Sequence, residues 1–449
     1  MNALAPPSYL PGTHRRALWL RMDAARILKR FFFCERALVV AQAAWIAGTA
    51  DFDAKLALPG HLWQDAMTAD ALRSRVFELR YPSRFMEVGE DAPVVSVFTE
   101  TVNAPSAEAF LLALARVFKP ALLAAYHEYI SLADELSDGP ILRALRLAVT
   151  ENADQIAVLT RLATQLIRTA PERRAEAEAW VTGLGERLLQ TGGLSVETPL
   201  QPAKWADLPG RTPYRLPDRA LRDARFSNCR YYWPDIVDAD FPYGDGVQLQ
   251  LRSAVSHLNE FWAVETGGAI LNAFADDLEW EFIYDAARWT YDEARHTRMG
   301  YERLRTWGFV PEELPLGSYI YDCARGQDPV VRLGMLHYFE TKNIGKKTKR
   351  ASAFASYDDR MSQHDMEFDW ADETIHAEYG HRWLDALHER FPERVPEIDT
   401  LRAECDRLVA AEVASATEAD RDQIRAIAGR LIEKAQRGVP AAVTGFDTH

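Results

Sequence analysis

Two five-residue runs in the C-terminal half combine carboxylates and imidazoles at a spacing that could bind metal. Residues 292–296 have the sequence Asp-Glu-Ala-Arg-His, and residues 372–376 have the sequence Asp-Glu-Thr-Ile-His. In each run a glutamate precedes a histidine by three positions, which on an α-helix lie about 60° apart on one face. Two such helices facing each other would supply two bridging oxygen ligands and two nitrogen ligands. That set suits a pair of iron or manganese ions.

Two further glutamates could complete such a site. Glu265 precedes Glu293 by 28 positions, and Glu340 precedes Glu373 by 33. Each interval fits two long antiparallel helices joined by a short turn. Glu260 is the alternative to Glu265, but five residues correspond to about 140° of rotation, so only one of the two can face inward on a continuous helix. Apolar neighbours of Glu265 favour it over Glu260.

The order Glu, Glu-x-x-His, Glu, Glu-x-x-His resembles the ferritin-like di-iron carboxylate superfamily over roughly residues 250 to 390. The Asp-Glu-x-x-His form looks closer to its oxidase and oxygenase branches, and to uncharacterised bacterial ferritin-like proteins, than to iron-storage ferritins. The resemblance implies six metal ligands, which are Glu265, Glu293, His296, Glu340, Glu373 and His376. It also implies that Asp292 and Asp372 accept hydrogen bonds from the ligand histidines and orient their rings. The implied cofactor is two iron ions, with Mn/Fe or Mn/Mn pairs as alternatives.

Two other interpretations of these residues remain open at this point. Buried glutamates and histidines could instead be paired with the nearby Arg295, Arg298 or Arg303. A third Glu-x-x-His match, Glu378 to His381, is rotated about 140° from the second run, so both cannot face one site. We interpret this third match as chance, on a packed or solvated face.

A glycine follows three of the implied ligands by about one helical turn. These pocket candidates are Gly268, Gly300 and Gly380. Glycine inside a helix costs roughly 0.5–1 kcal/mol relative to alanine, so three such placements need a reason. One reason is close crossing of helices; the other is a cavity beside the metals with room for O2 and a substrate.

Composition limits the classes of partner and the compartment. A net charge of −14 argues against nucleic acid as the main partner. The basic run at 342–350 is predicted to be a solvated helix face, with a docking patch for an acidic protein or an anionic substrate as the alternative.

The four cysteines are far apart in sequence, as in reduced cytoplasmic proteins. With no signal-peptide pattern, and a longest apolar stretch (37–47) too short for a bilayer, a cytoplasmic protein without membrane contact is predicted.

Helical periodicity dominates the chain and predicts an all-α fold. Four parts are expected, which are an N-terminal helical bundle (1–195), a linker or wrapping arm rich in proline and aromatic residues (196–246), a ferritin-like four-helix bundle (247–394), and a C-terminal helix with a polar tail (395–449). The N-terminal bundle is interpreted as a degenerate repeat of the second. Its Glu35, Asp65 and Glu151 would stand where the other half has glutamate ligands, but both histidines are replaced. We therefore predict that it binds no metal.

The function predicted from these features is an O2-activating oxidase or oxygenase that oxidises a small organic substrate. Its partners would be O2, the substrate, and a separate reductase or reduced carrier that supplies electrons. Iron sequestration or peroxide detoxification without an organic substrate is the alternative. A structural protein with a vestigial site is a third possibility. The sequence leaves the oligomeric state open, with a homodimer as one option.

Overall fold

The computed structural model describes residues 18–196, 201 and 208–438, and it confirms the all-α prediction. In the N-terminal half the helices are α1 (Arg21–Gly48), α2 (Phe52–Glu78), α3 (Ala92–Glu100), α4 (Ala107–Ala113), α5 (Lys119–Leu132), α6 (Glu135–Thr169) and α7 (Arg174–Gln190). In the C-terminal half they are α8 (Val247–Leu258), α9 (Phe261–Phe274), α10 (Trp280–Thr306), α11 (Tyr319–Cys323), α12 (Pro329–Ser356), α13 (Arg360–Arg390), α14 (Ile398–Ala414) and α15 (Glu418–Gly438).

The two halves share a similar arrangement of long helices. In the first half α1 packs along α2, and α6 packs against α2 and α5. In the second half α8 and α9 pack against α10, α12 packs along α13, and α13 contacts α10. The halves meet where α1 contacts α9 and α2 contacts α10, and one hydrophobic core runs through both. This similarity is consistent with the predicted repeat, and the shared core means that neither half buries its apolar surface alone.

The continuous helix expected to carry Glu260 and Glu265 is interrupted at Asn259 and Glu260, which divides it into α8 and α9. The Asn259 side-chain amide donates to the carbonyl oxygens of Val255 and Pro315, and its oxygen accepts from the Gly317 backbone N–H. These bonds hold the chain at the break and connect it to the segment after α10. The helix predicted at 395–437 is also two helices, α14 and α15. The predicted polar tail after residue 438 lies outside the described residues.

The described part of the predicted arm, residues 208–246, packs on the protein. Tyr231 and Trp233 are buried, and the Tyr231 hydroxyl donates to the carbonyl oxygen of Glu412. Strand β1 (Ser227–Asn228) pairs in parallel with β2 (Pro315–Leu316). Burial and main-chain pairing therefore favour a wrapping arm over a free linker for these residues.

In the N-terminal half, the Asp65 carboxylate is surrounded by one ammonium group and two side-chain amides. Its carboxylate accepts hydrogen bonds from the Lys119 ammonium at 2.5 Å, from Gln42 at 2.6 Å and from Gln155 at 3.1 Å. Glu35 accepts from the Tyr126 hydroxyl at 2.5 Å, and burial followed by repulsion from Asp65 raises the pKa of Glu35 to about 8. Asp65 thus has protein partners, and no histidine stands at the positions equivalent to His296 and His376, which is consistent with the prediction that this half binds no metal.

In the described part of the chain, two helical segments are long and apolar enough to cross a membrane, by length and composition alone. They are α1 and the segment 107–132, and 72% of the apolar window of each is buried within the protein. Neither is a single uninterrupted apolar run, so the longest such stretch, residues 37–47, covers only part of α1 and none of the second segment. Core helices of soluble proteins give the same signal, so the cytoplasmic location stays a prediction.

Candidate metal centre

Four buried side chains from α10, α12 and α13 converge in the C-terminal half. Glu293, Glu340, Glu373 and His376 each place a ligand atom within 4.8 Å of the others. They are at most 4% exposed. This first group thus contains four of the six predicted ligands, as the two runs and the position of Glu340 predicted. A cluster of three carboxylates and an imidazole could hold one transition-metal ion.

A second group of possible ligands adjoins the first and overlaps it. His296 lies with Glu260 and Glu293 in one set of three, and with Asp369 and Glu373 in another. Glu293 and Glu373 therefore belong to both groups. The two groups could hold two ions, and Glu293 and Glu373 would be ligands available to both, with one histidine in each group.

Both histidines direct an unpartnered nitrogen at the carboxylates. His376 Nδ1 lies 3.2 Å from Glu293 Oε1, and His296 Nδ1 lies 3.5 Å from both Glu260 Oε2 and Asp369 Oδ1. Among the described residues, neither nitrogen has a hydrogen-bond partner, although both are buried. A buried polar atom left unsatisfied costs about 1–3 kcal/mol. A metal ion between nitrogen and carboxylate would satisfy both sides.

The aspartates of the two runs meet the other nitrogen of each ring, as predicted, but they do so crosswise. Asp292 Oδ2 lies 3.4 Å from His376 Nε2, and Asp372 Oδ2 lies 3.2 Å from His296 Nε2. Each aspartate thus faces the histidine of the opposite run. Arg295 bonds both aspartates, at 2.5 Å to Asp292 and 3.0 Å to Asp372. This arrangement holds the rings with Nδ1 towards the carboxylates.

The arginines considered as alternative partners do not neutralise the cluster. Arg295 bonds the aspartates, and Arg298 is exposed near Glu302. Arg303 is buried but lies 3.1 Å from Asp365 and 2.5 Å from His257 Nδ1. The explanation of the glutamates and histidines as arginine-paired core residues therefore does not fit these contacts.

The predicted position of Glu265 is wrong. Its fully buried carboxylate lies 2.5 Å from the Lys55 ammonium and also pairs with Arg222, away from the cluster. Glu260 faces the cluster instead, because the chain breaks at Asn259 and the rotation expected of a continuous helix does not apply. The apolar neighbours of Glu265 correctly indicated burial, but they did not reveal cations contributed by α2 and the arm.

Because Glu260 and not Glu265 faces the cluster, glutamine variants at these two positions should give opposite results. Glu260→Gln removes a charged ligand, so we expect about one ion fewer per chain. Glu265→Gln breaks a buried ion pair, which should cost about 3–5 kcal/mol of folding free energy, but it should leave the number of ions unchanged in folded protein. Metal content and thermal unfolding measured on the same samples check both. Loss of metal only in the Glu265 variant would contradict the assignment.

The carboxylates and imidazoles strongly shift one another's protonation. Burial opposes charge on Glu293, but His296 and His376 outweigh it and lower the pKa of Glu293 to about 2. Burial and repulsion by Glu293 raise the pKa of Glu373 to about 7. Burial disfavours the His376 imidazolium, but the negative charge of the nearby Asp292, Glu293 and Glu373 outweighs it and raises the pKa of His376 to about 9. The cluster therefore has a strong requirement for positive charge, which metal ions would meet.

Asp369, a member of the second ligand group, and Lys347, which pairs with it, were missed in the sequence. Lys347 Nζ lies 2.5 Å from Asp369 Oδ1 and 2.7 Å from Glu373 Oε1. Asp369 also lies 2.9 Å from His257 Nε2. Asp369 precedes Glu373 by one turn on the same face of α13, which is a spacing that could have indicated it. Lys347 looked like part of a solvated basic run, so no local signal singled it out.

The ammonium of Lys347 makes the two ligand groups unequal. We expect Lys347→Met to bind the second ion more tightly, because no cation competes for Asp369 and Glu373. The metal-free variant should be less stable, since two buried carboxylates lose their partner. Titration with Mn2+ followed by thermal unfolding measures both effects. The control is Lys342→Met on the same helix, whose ammonium pairs with Asp406. Equal affinity in wild type and Lys347→Met would contradict this role.

The three glycines proposed as pocket candidates serve close packing of helices, which corrects that expectation. A Cβ on Gly300 would lie 2.3 Å from the Leu258 backbone nitrogen of α8. One on Gly268 would lie 2.4 Å from the Ala43 carbonyl oxygen of α1. One on Gly380 would lie within 3.0 Å of the His337 side chain on α12. None of the three lines the cavity at the cluster.

A cavity of about 530 Å³ does reach the cluster, although none of the three glycines lines it. Glu260, Glu293, Glu340 and Glu373 form part of its wall. A larger groove of about 930 Å³ lies between α2 and α10, but no carboxylate or imidazole of the cluster lines it. The smaller cavity is therefore the one that gives a molecule access to the candidate centre.

The third Glu-x-x-His match lies outside the site, as expected. His381 is exposed and lies 3.4 Å from Asp385 on its own helix. Its ring faces neither ligand group. The pair formed by Glu378 and His381 therefore offers a natural control for the two pairs that converge.

Comparison with known proteins adds one match. Residues 244–429 match the profile of a family described as "Protein of unknown function (DUF455)". The match covers less than half of the chain, and it contains the whole cluster from Glu260 to His376. No curated protein and no solved structure matches the chain.

Proposed function

We propose that the C-terminal half is a ferritin-like bundle holding two metal ions, and that the protein is an O2-activating oxidase or oxygenase acting on a small organic substrate. The proposed ligands are Glu260, Glu293, His296, Glu340, Glu373 and His376. The observation that carries the proposal is the pair of buried, unpartnered histidine nitrogens facing shared carboxylates. Iron is the first choice of metal, with manganese as the alternative, because oxygen and imidazole ligands suit both.

Two iron or manganese ions bound there would supply the redox chemistry with O2. The protein's own residues would hold and orient the site. Asp292 and Asp372 fix the histidine rings through their Nε2 atoms. The Trp289 indole N–H donates to Glu293 and Glu340 at 3.2 Å each, and its ring stacks on His376. Trp289 thereby fixes the positions of three proposed ligands at once.

An organic substrate is favoured over iron storage by the cavity. Trp262, Tyr319 and Phe339 form part of its wall, and a store of inorganic ions has no need of an aromatic surface. The sequence contains no Gly-x-Gly-x-x-Gly run for a nucleotide cofactor. Electrons would therefore come from a separate reductase or reduced carrier. The four cysteines are free, which suits the cytoplasm as the proposed compartment.

The test is anaerobic loading of chelator-treated protein with Fe2+, followed by exposure to O2. We expect two ions per chain, O2 consumption proportional to loaded protein, and renewed consumption after chemical reduction. His381→Ala should behave as wild type, because this imidazole faces solvent. Uptake of iron far beyond two ions per chain would instead identify a storage protein. Failure to bind iron or manganese would overturn the proposal.

A further inference from the structure

We propose that the cavity beside the carboxylate cluster binds an organic anion, held at its outer part by Arg252 and Tyr243 with an apolar body extending towards the cluster. This inference names a class of substrate for the proposed enzyme, and any reaction of that substrate rests on the proposed function. The binding itself depends only on residues of the cavity and can be measured without metal.

Arg252 provides a positioned but incompletely bonded guanidinium. It is 8% exposed and lines the cavity from α8. Its Nε donates to Asp235 Oδ1 at 2.9 Å, and the guanidinium lies over the rings of Tyr232 and Tyr243. Among the described residues its buried Nη1 has no hydrogen-bond partner. A carboxylate or phosphate oxygen would satisfy that donor, because guanidinium groups bind such oxygens with strong charge-assisted bonds.

The Tyr243 hydroxyl supplies a second unsatisfied group in the same cavity. Its oxygen is buried and has no partner within the described part of the chain. The Tyr243 ring also contacts the Arg252 guanidinium, with 5.5 Å from its centroid to Cζ. Two neighbouring donors without acceptors, on α8 and on the arm, indicate a site for an anionic group.

The mouth of the cavity carries uncompensated positive charge from α12. Lys346 and Lys349 are exposed there and Arg350 is half-buried. Within the described residues none of the three forms an ion pair. Burial followed by repulsion from Arg350 lowers the pKa of Lys346. In a chain of net charge −14, such a local excess of cations would draw an anion to this opening.

The opposite wall is suited to an uncharged body. Trp262 and Phe339 pack with ring centroids 5.1 Å apart, and Tyr319 and Ile320 lie beside them in the cavity wall. The inner end is formed by carboxylates such as Glu340, which repel an anion in the metal-free protein. The charge distribution therefore orients the ligand with its anionic group outward and its apolar part inward.

The experiment measures binding of benzoate and phenyl phosphate to the full chain by calorimetry, with benzyl alcohol and inorganic phosphate for comparison. In Arg252→Met we expect at least tenfold weaker binding of the preferred organic anion. In the double variant Lys346→Gln/Arg350→Gln, whose native side chains are exposed and half-buried respectively, we expect a severalfold loss of affinity without a folding defect. The control is Arg298→Gln, an exposed arginine in the other groove, which should bind as wild type.

The choice of probes separates the possible sources of the anion. Preference for phenyl phosphate identifies a phosphate ester, and preference for benzoate identifies a carboxylic acid. Binding of inorganic phosphate as tightly as phenyl phosphate, or of benzyl alcohol as tightly as benzoate, would overturn the inference. Equal affinity in wild type and in both sets of cavity variants would also overturn it.

Each titration is repeated on chelator-treated and on Mn2+-loaded protein. Anion binding without stoichiometric metal binding would refute the proposed function and keep the anion site. Two bound ions per chain with no anion binding would support the proposed metal centre and refute the anion site. Metal content should stay normal in Arg252→Met, because Arg252 contacts none of the proposed ligands.

Discussion

Replacing His376 with alanine is expected to lower the bound metal from two ions to about one per chain, whereas replacing His381 in the same way should leave metal content unchanged. The two histidines lie on the same helix, five residues apart. His376 Nδ1 faces Glu293 and Glu340, while the His381 ring is exposed beside Asp385. Loss of the only imidazole in the first ligand group should weaken binding there by tenfold or more. Metal per chain after dialysis against trace Fe2+ or Mn2+ measures the difference.

Glu373 and Glu378 are the glutamates of the same two Glu-x-x-His matches, and variants at these positions provide an independent comparison. Glu373→Ala removes a carboxylate shared by both ligand groups, so both ions should be lost. Glu378→Ala should retain them. Thermal unfolding of all four variants excludes general destabilisation as the cause. Two ions retained by both His376→Ala and Glu373→Ala would show that the metals, if bound, lie elsewhere.

Replacing Gly300 with alanine is expected to destabilise the fold more than a single methyl group would at most helical positions. The added Cβ would lie 2.3 Å from the Leu258 nitrogen and 2.5 Å from the Ala254 carbonyl oxygen, which are backbone atoms of α8. Because helices cannot yield locally as flexible side chains do, we expect a loss of about 3 kcal/mol or more. The midpoint of thermal or urea unfolding measures this loss.

The matched control is Gly345→Ala on α12. A Cβ there would meet nothing within 4 Å, and the change should stabilise the helix by about 0.5–1 kcal/mol. Should Gly300→Ala be as stable as Gly345→Ala, close packing would not be the reason for glycine at that position, and the cavity interpretation would have to be reconsidered.

The ligand runs could be predicted because their geometry is local. A glutamate three positions before a histidine lies on the same helix face whatever surrounds it. Glu293, His296, Glu373 and His376 therefore converge as expected. The crosswise contacts of Asp292 and Asp372 could not be foreseen, because they depend on how α10 and α13 cross.

The misplaced residues depend on contacts between distant parts of the chain. Glu265 is bonded by Lys55, 210 positions earlier, and by Arg222, 43 positions earlier. Glu260 faces the cluster because Asn259 is bonded to Pro315 and Gly317 at the break between α8 and α9. Neither contact leaves a periodic signal. The order of the long helices could therefore be predicted from the sequence. The choice of Glu260 over Glu265 as the glutamate that faces the cluster could not.

The same limit applies to the glycines and the cavity. Spacing alone placed Gly268, Gly300 and Gly380 near the ligands, but the helices that cross at each of them come from elsewhere in the chain. The cavity that reaches the cluster is lined by residues of the arm and of every helix from α8 to α13. Its basic mouth was visible in the sequence as a charged run, and only the fold joins that run to Arg252 and the carboxylates.

Anomalous diffraction from crystals loaded with iron, measured above the iron absorption edge, would locate the bound ions. We expect two anomalous peaks per chain, one within bonding distance of His376 Nδ1 and the other within bonding distance of His296 Nδ1, with Glu293 and Glu373 between them. Crystals that contain iron but show no peak at these nitrogens would contradict the proposed metal centre.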